Sequence, residues 1–294
     1  MSFALRREGL ARACLLTLAC LVGCDGTSGS LVDLAEIASP DAGIGGAGAA
    51  GASTGTGTGA GTSWQIQLTG ALETSFDVDV YEADLFALDA GSVRAVHDPG
   101  RKLTCYVSVG SAEPWRADYD SLPVSAIGNP LTDYPQEHWL DVRDADVRGV
   151  MAQRLALAAS TGCDAVELSN LSAHTADSGF PLTQMDELEY ARWLIDEAHT
   201  RGLSAGVSSS DDLVPLLAPS ADFALTEECL AYDSCAALQA FTRLGKEVFM
   251  IEYGSSNDAP LLCPEAASLG FSLVIKRRAL DAFRVGCESI SAKP

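Results

Sequence analysis

From Trp64 onward, short runs rich in β-branched and aromatic residues alternate with longer stretches of helical period, and no other feature of the chain constrains its fold as tightly. The candidate strands are residues 64–68, 78–85, 102–110, 164–170, 203–209, 223–228, 247–254 and 271–276. Helical segments lie between most of them. Residues 144–160 put Val147, Val150, Met151, Leu155 and Ala158 broadly on one side. Residues 186–200 do the same with Leu188, Leu194, Ile195 and Ala198, then stop at Gly202 as a C-terminal cap would. The link between the first two runs is too short for a regular helix. Eight strands alternating with helices most simply make an α/β fold of the (β/α)8 TIM-barrel type, a single domain spanning 64–294. About 230 residues suffice for one core of that kind. A doubly wound open sheet is the alternative, but no glycine fingerprint follows the first run. Ser108-Val109-Gly110-Ser111 lacks the rest of a phosphate loop, and no G-x-S-x-G elbow supports a serine hydrolase.

The residues before the barrel have a different character. Arg6, Arg7 and Arg12 precede an apolar run at 13–22, which is short for a membrane span and reads as a signal segment over 1–23. It ends in Leu21-Val22-Gly23-Cys24, which resembles the lipobox of bacterial lipoproteins. That resemblance implies cleavage before Cys24 and acylation of its new N-terminus. Residues 24–63 form a tether rich in Gly, Ala, Ser and Thr that spans, over its last twenty or so residues, on the order of 25 Å. The expectation is an exported bacterial lipoprotein, held at a membrane by its N-terminal lipid and facing the periplasm or the cell surface.

Of nine cysteines, Cys14 and Cys20 leave with the signal and Cys24 goes to lipid, so six remain. An even number in an exported chain favours disulfides. Cys229 and Cys235 close a short loop, and Cys263 can reach Cys287 across the last strand. Cys105 and Cys163 are either a third bridge or two buried thiols. The four histidines are dispersed and no Cys-x-x-Cys pair occurs, so neither a metal nor another cofactor is expected. A net charge of −21 opposes nucleic acid as a partner and suits a polycation, although acidity also serves solubility alone.

In a parallel barrel the C-terminal strand tips carry the chemistry. They offer Gln67, Glu82, Asp84, Tyr106, Ser108, Glu113, Trp115, Arg116, Glu167, Ser169, Asn170, Ser208, Asp211, Glu227, Glu252 and Tyr253. Carboxylates mixed with aromatic residues are what a sugar-binding cleft uses, the former for hydroxyls and the latter for ring faces. A single carboxylate at a strand tip is also what satisfies backbone groups or pairs with an Arg.

The order of the motifs is specific. Trp64-Gln65-Ile66-Gln67-Leu68 and Asp79-Val80-Tyr81-Glu82-Ala83-Asp84-Leu85-Phe86 come first. Cys105-Tyr106-Val107-Ser108-Val109-Gly110-Ser111 follows, with Glu113, Trp115 and Arg116. Trp139-Leu140-Asp141-Val142-Arg143, Gly162-Cys163-Asp164, Gly179-Phe180-Pro181-Leu182-Thr183 and Ala198-His199-Thr200-Arg201-Gly202-Leu203-Ser204 continue the series. Glu227-Glu228-Cys229, Tyr232, Cys235, Val248-Phe249 and Glu252-Tyr253 complete it. In this the chain resembles glycoside hydrolase family 114, the endo-alpha-1,4-polygalactosaminidase-like TIM barrels, from Trp64 to Cys287. The resemblance implies a galactosamine-containing polysaccharide as substrate and a working pair of carboxyls at positions 169 and 227, with Glu227 as acid/base.

The departures cluster at one rim. Where the family has Asp at two positions after the fourth strand, this chain has Ser169 and Ser172. At the fifth strand it reads Val207-Ser208-Ser209 in place of Leu-Lys-Asn, and at the sixth Thr226-Glu227-Glu228-Cys229 in place of Asn-Glu-Gln-Cys. A glycosidase needs two carboxyls, and serine cannot stand in for one without a base to activate it. His174 is the only nearby histidine. Glu167, Asp211 or Glu228 is then required as a substitute; Glu167 shares the face of residue 169 but lies about 6–7 Å lower, and Asp211 at the next tip is better placed. Two functional readings follow. One is an exported, lipid-anchored glycoside hydrolase acting through Glu227 and a substitute carboxylate, Asp211 first. The other is a catalytically inactive polysaccharide-binding barrel with Gln67, Asp84, Tyr106, Ser108, Glu113, Trp115, Glu167, Asn170, Glu252 and Tyr253 around its cleft. A drifted relative with neither property is the remaining case.

Overall fold

In the computed structural model, residues 61–288 are described. The signal segment, Cys24 and the tether up to residue 60 lie outside them. Each candidate run forms a strand: β1 Trp64–Gln67, β2 Val80–Asp84, β3 Lys102–Ser108, β4 Ala165–Leu171, β5 Ser204–Ser209, β6 Phe223–Glu227, β7 Glu247–Tyr253 and β8 Ser272–Lys276. The eight are parallel in sequential order, and helices α1 Ala90–His97, α2 Ala145–Thr161, α3 Gln184–Thr200, α4 Val214–Leu217, α5 Gln239–Thr242 and α6 Ala259–Leu269 fill the connections. No helix joins β1 to β2. The result is a (β/α)8 TIM-like barrel.

Local chemistry sets the helix ends. The Asp144 carboxylate accepts from the amides of Asp146 and Val147 and starts α2. Thr183 and Asp186 form a reciprocal capping box that starts α3.

Strand alternation divides the buried residues into two cores. Residues such as Leu103, Cys105, Val107, Val166, Leu168 and Ala205 face the helices. Trp64, Ile66, Phe223, Leu225, Phe249 and Ile251 face the barrel axis. Trp64, Phe223 and Phe249 plug its lower end, with ring centroids 4.9 and 5.5 Å apart. Gly206 makes room for them, since a Cβ there would lie 2.0 Å from the Phe223 ring.

The barrel closes through side chains and a returning C-terminal segment. Trp64 Nε1 donates to Ser272 O at 2.8 Å, and Leu68 N donates to Leu280 O at 2.9 Å. Val285–Gly286 pairs antiparallel with β8, and Arg284 Nε donates to Trp64 O at 2.8 Å. Three disulfides hold the fold: Cys229–Cys235 after β6, Cys263–Cys287 from α6 to the returning segment, and Cys105–Cys163 from β3 to the approach of β4.

One element has no counterpart in the strand pattern of the sequence. After β3 the chain builds a small antiparallel sheet from Ser111–Ala112, His138–Leu140 and Ile127–Pro130. Its register slips between Ile127 and Pro130.

Candidate active site

Each barrel strand delivers its axial residues upward from the aromatic plug to the mouth. On β2 and β4 these are Glu82 and Asp84, and Glu167 and Ser169; on β6 and β7 they are Glu227 and Tyr253. A cavity of about 310 Å³ opens above them.

The floor is acidic and carries no cation. Glu82 and Glu167 are 1% and 2% exposed, and their carboxyls interact directly, an approach that favours a proton held between them. Burial pushes Glu82 well above the usual carboxylate range, and the neighbouring Glu167 and Glu227 push it further. Burial also raises Glu167, to about 7, with Glu227 adding to the rise. The pair therefore titrates as a unit and keeps a proton between its carboxyls. The other oxygen of Glu82, Oε1, is buried without a partner.

The β2–β3 wall is the opposite case. Arg116 donates to Asp84 Oδ1 at 2.7 Å and grips Glu113 with two hydrogen bonds of 2.7 Å. Its guanidinium lies 4.7 Å from the Phe86 ring centroid. Arg154 of α2, 1% exposed, reaches up to Ser108 O and both oxygens of Asp118, so the loop that carries Glu113 and Arg116 is fixed from below. Beside it runs a polar chain: Asn170 Nδ2 donates to Ser108 Oγ and Ser111 Oγ, and Ser111 Oγ donates to Glu137 Oε2 at 2.6 Å. Asn170 has φ 65°, and the β4 register slips between Leu168 and Leu171. This bulge turns Asn170 into the cleft, and Gly110 permits it, because a Cβ there would lie 1.8 Å from Asn170 O.

The β6–β7 side holds Glu227. Its carboxylate accepts from the Tyr253 hydroxyl, and Arg278 stacks on that tyrosine, 4.7 Å from its ring centroid, while paired with Glu228 at 2.6 Å. Glu227 is exposed to the cavity, so the atoms crowded around it desolvate it only in part; they raise its pKa, and the Tyr253 hydrogen bond partly opposes the rise.

Ser169 stands at the mouth of β4, one axial position above Glu167. Its hydroxyl lies beside Glu167 and Tyr106 and lowers the pKa of each, against the rise that burial causes. The carboxylates lining the cavity are Asp84, Glu113, Glu137 and Glu227. The first two are neutralised by Arg116 and the third accepts from Ser111. Glu227 instead accepts from Tyr253, with Arg278 acting on it only at longer range.

Of the residues singled out in the sequence, Asp84, Tyr106, Glu113, Trp115, Ser169, Asn170 and Glu227 line this cavity. Tyr253 touches it through Glu227, and Ser108 through Asn170. Others are placed elsewhere. Gln67 spends its amide on the loop after β1, donating to Thr69 O and Ala71 O and accepting from Glu73 N. Glu252 faces away from the axis and accepts from Leu230 N at 2.9 Å. Asp211 is exposed in the turn after β5 and does not line the cavity. His174 is clamped between Glu187 and Asp212, which raises its pKa against the effect of burial. Tyr134, Glu137 and Arg278 line the cavity without having been singled out. Tyr134 and Glu137 lie in the connection between two strands of the small antiparallel sheet, which periodicity did not reveal.

Comparison with known proteins agrees with this geometry. The sequence model of glycoside-hydrolase family GH114 matches residues 46–292. The crystal structure of Aspergillus fumigatus Ega3 in complex with galactosamine is similar at a TM-score of 0.74 and 36% identity, over 77% of this chain and 95% of that one. The glycoside hydrolase domain of PelA from Pseudomonas aeruginosa shares the fold at a TM-score of 0.59 and 17% identity, over 77% and 98% of the two chains. No curated protein sequence matches.

Proposed function

We propose, since this chain belongs to glycoside hydrolase family GH114, that it is an exported, lipid-anchored barrel that binds a galactosamine-containing polysaccharide at its strand tips without cutting it. The similarity to Ega3, whose structure holds galactosamine, supports the ligand class. So does the chemistry of the cavity, where four carboxylates face two arginines, a setting that favours a cationic amino sugar over a neutral one. The lipobox-like Leu21-Val22-Gly23-Cys24 supports the anchor.

The observation that carries the reading is the serine at position 169. Glycoside hydrolysis divides its work between two carboxyls flanking the bond. Here the position that would carry the second carboxyl holds a hydroxyl beside Glu167 and Tyr106, and the remaining cavity carboxylates are held by Arg116 or Ser111. Glu227 retains the raised pKa of a general acid, but nothing opposite it is free to act as nucleophile or base.

The test is a gain of function. The unaltered chain should retain partially deacetylated galactosaminogalactan in a pull-down and release no new reducing ends. Ser169→Asp should release them, and Ser169→Asp combined with Glu227→Gln should not. Release by the unaltered chain that disappears in Glu227→Gln would overturn the reading. A hydrolase reading would then rest on Glu167, which shares the axial face of residue 169 and feels the charge of Glu227. Glu167→Gln would abolish release in that case, and Asp211→Asn would not.

A further inference from the structure

The returning segment, residues 277–288, runs from the mouth of the barrel to its lower end. At the mouth, Arg278, Ala279 and Leu280 line the cavity. Leu280 O accepts from Leu68 N at 2.9 Å and from Thr69 N at 3.3 Å, and Thr69 Oγ1 donates to Ala279 O at 2.7 Å. Midway, the Gln65 amide donates to Ala282 O and Arg284 Nε to Trp64 O, so the segment covers the edge of β1. At the lower end Cys287 is joined to Cys263 of α6.

Two features held by this segment are unfavourable by themselves. Leu280 has φ 45°, a left-handed conformation that a residue with a side chain keeps only where its surroundings impose it. Lys276, the last residue of β8, is fully buried, and its amine donates to Gln65 Oε1 at 3.1 Å and to Asp281 O at 2.8 Å. Burial pulls its pKa down to about 7, against the charge of Asp281. If the segment lifted, Leu280 would turn to an ordinary φ and Lys276 would reach water. The bridge that holds the far end is also the one most open to attack. Of the three bridges among the described residues, only Cys263–Cys287 includes a residue that is not buried, Cys287. Both of its cysteines line a cavity of about 220 Å³ beside the start of β8, through which a thiolate can approach.

We infer that Cys263–Cys287 is a redox switch: a dithiol reduces this bridge before the other two, the returning segment lifts from β1, and Arg278, Ala279 and Leu280 leave the barrel mouth. One thiolate of the dithiol attacks Cys287 Sγ, and Cys263 leaves as a thiolate. The second thiol then attacks the mixed disulfide and releases Cys287. Two electrons and two protons pass to the protein, and the dithiol becomes a disulfide. Arg278 takes with it the stacking on Tyr253 and the pairing with Glu228, so the surroundings of Glu227 change as well. The effect on polymer binding rests on the recognition proposed above; the movement of the segment does not.

Limited reduction of the full chain with dithiothreitol tests both parts. Alkylation mapped by mass spectrometry should find Cys263 and Cys287 modified while the other two bridges stay intact. In that state an amine reagent should acylate Lys276 at least about tenfold faster than in the oxidised chain. Lys102, whose side chain is 68% exposed, should react alike in both states. Retention of partially deacetylated galactosaminogalactan should fall about fivefold or more and return on reoxidation. Cys263→Ser combined with Cys287→Ser should behave as the open form without reductant. Lys276 still protected after selective alkylation of Cys263 and Cys287 would overturn the switch. So would loss of all three bridges together, or labelling that comes only with loss of the near-ultraviolet circular dichroism. Labelled Lys276 with unchanged retention would overturn the link to the mouth. If the oxidised chain retains no polymer, the recognition proposed above falls, and Lys276 alone decides the switch.

Discussion

Two acidic pairs sit in this barrel two residues apart along one strand, one gripped by a cation and one without. Glu82 and Asp84 lie on the same strand and the same face. Asp84 joins Glu113 around Arg116, whose guanidinium supplies charge and directed donors to both. Glu82 joins Glu167 with no cation, and the pair shares a proton instead. Burial alone does not set the state of a carboxyl. What decides it is whether a neighbouring loop brings an arginine to that depth, and here the loop of Glu113 reaches only the upper level.

The sharpest way to break the contrast is to remove the cation. Arg116→Met leaves Asp84 and Glu113 desolvated and unpaired, and should cost about 3–5 kcal/mol in urea unfolding at neutral pH. Much of that should return as the pH is lowered and the unpaired carboxyls are neutralised.

Acidity provides the second test. The folded pKa values of Glu82 and Glu167 lie above those of an unfolded chain, so the folded state binds more protons between the two. Their contribution to stability is full below about pH 4.5 and is lost as pH rises through about 7. The Tm should therefore fall over that window. In Glu82→Gln the amide still donates to Glu167 but has no proton to lose, and the slope should flatten. An unchanged slope would remove the shared proton from the account.

The smallest effect belongs to the hydroxyl above the pair. Ser169→Ala removes the contacts to Glu167 and Tyr106 and should cost about 1 kcal/mol, read from the same unfolding curves.

Much of this was legible in the sequence, and the rest was not, for physical reasons. The eight strands were readable because a parallel sheet buried on both faces needs near-continuous apolar runs. Alternation then separates axial from outward positions. It explains why Tyr253 meets Glu227 while Glu252 holds a backbone amide, and why Gln67, next to the axial Ile66, turns away. The same rule would have sent Asn170 outward, and only the bulge at φ 65° reverses it. The partnership of Glu82 with Glu167 was illegible, because it runs diagonally across β3 past Thr104 and depends on the register of three strands. The cavity wall of Tyr134 and Glu137 was hidden in an irregular insertion with a register slip. Arg278 follows β8 with no motif around it, and it reaches the cleft because the returning segment brings it there.

That returning segment also fixes when the molecule can be finished. Trp64 meets Ser272 across 208 positions of sequence, Gln65 meets Ala282 across 217, and Arg284 meets the Trp64 carbonyl across 220. The first barrel strand thus waits for residues more than two hundred positions later before its open edge is covered. Contacts of such separation delay folding more than they weaken the folded state. The ring cannot be sealed until the 280–287 segment has been made, and oxidation of Cys263 with Cys287 then latches it shut.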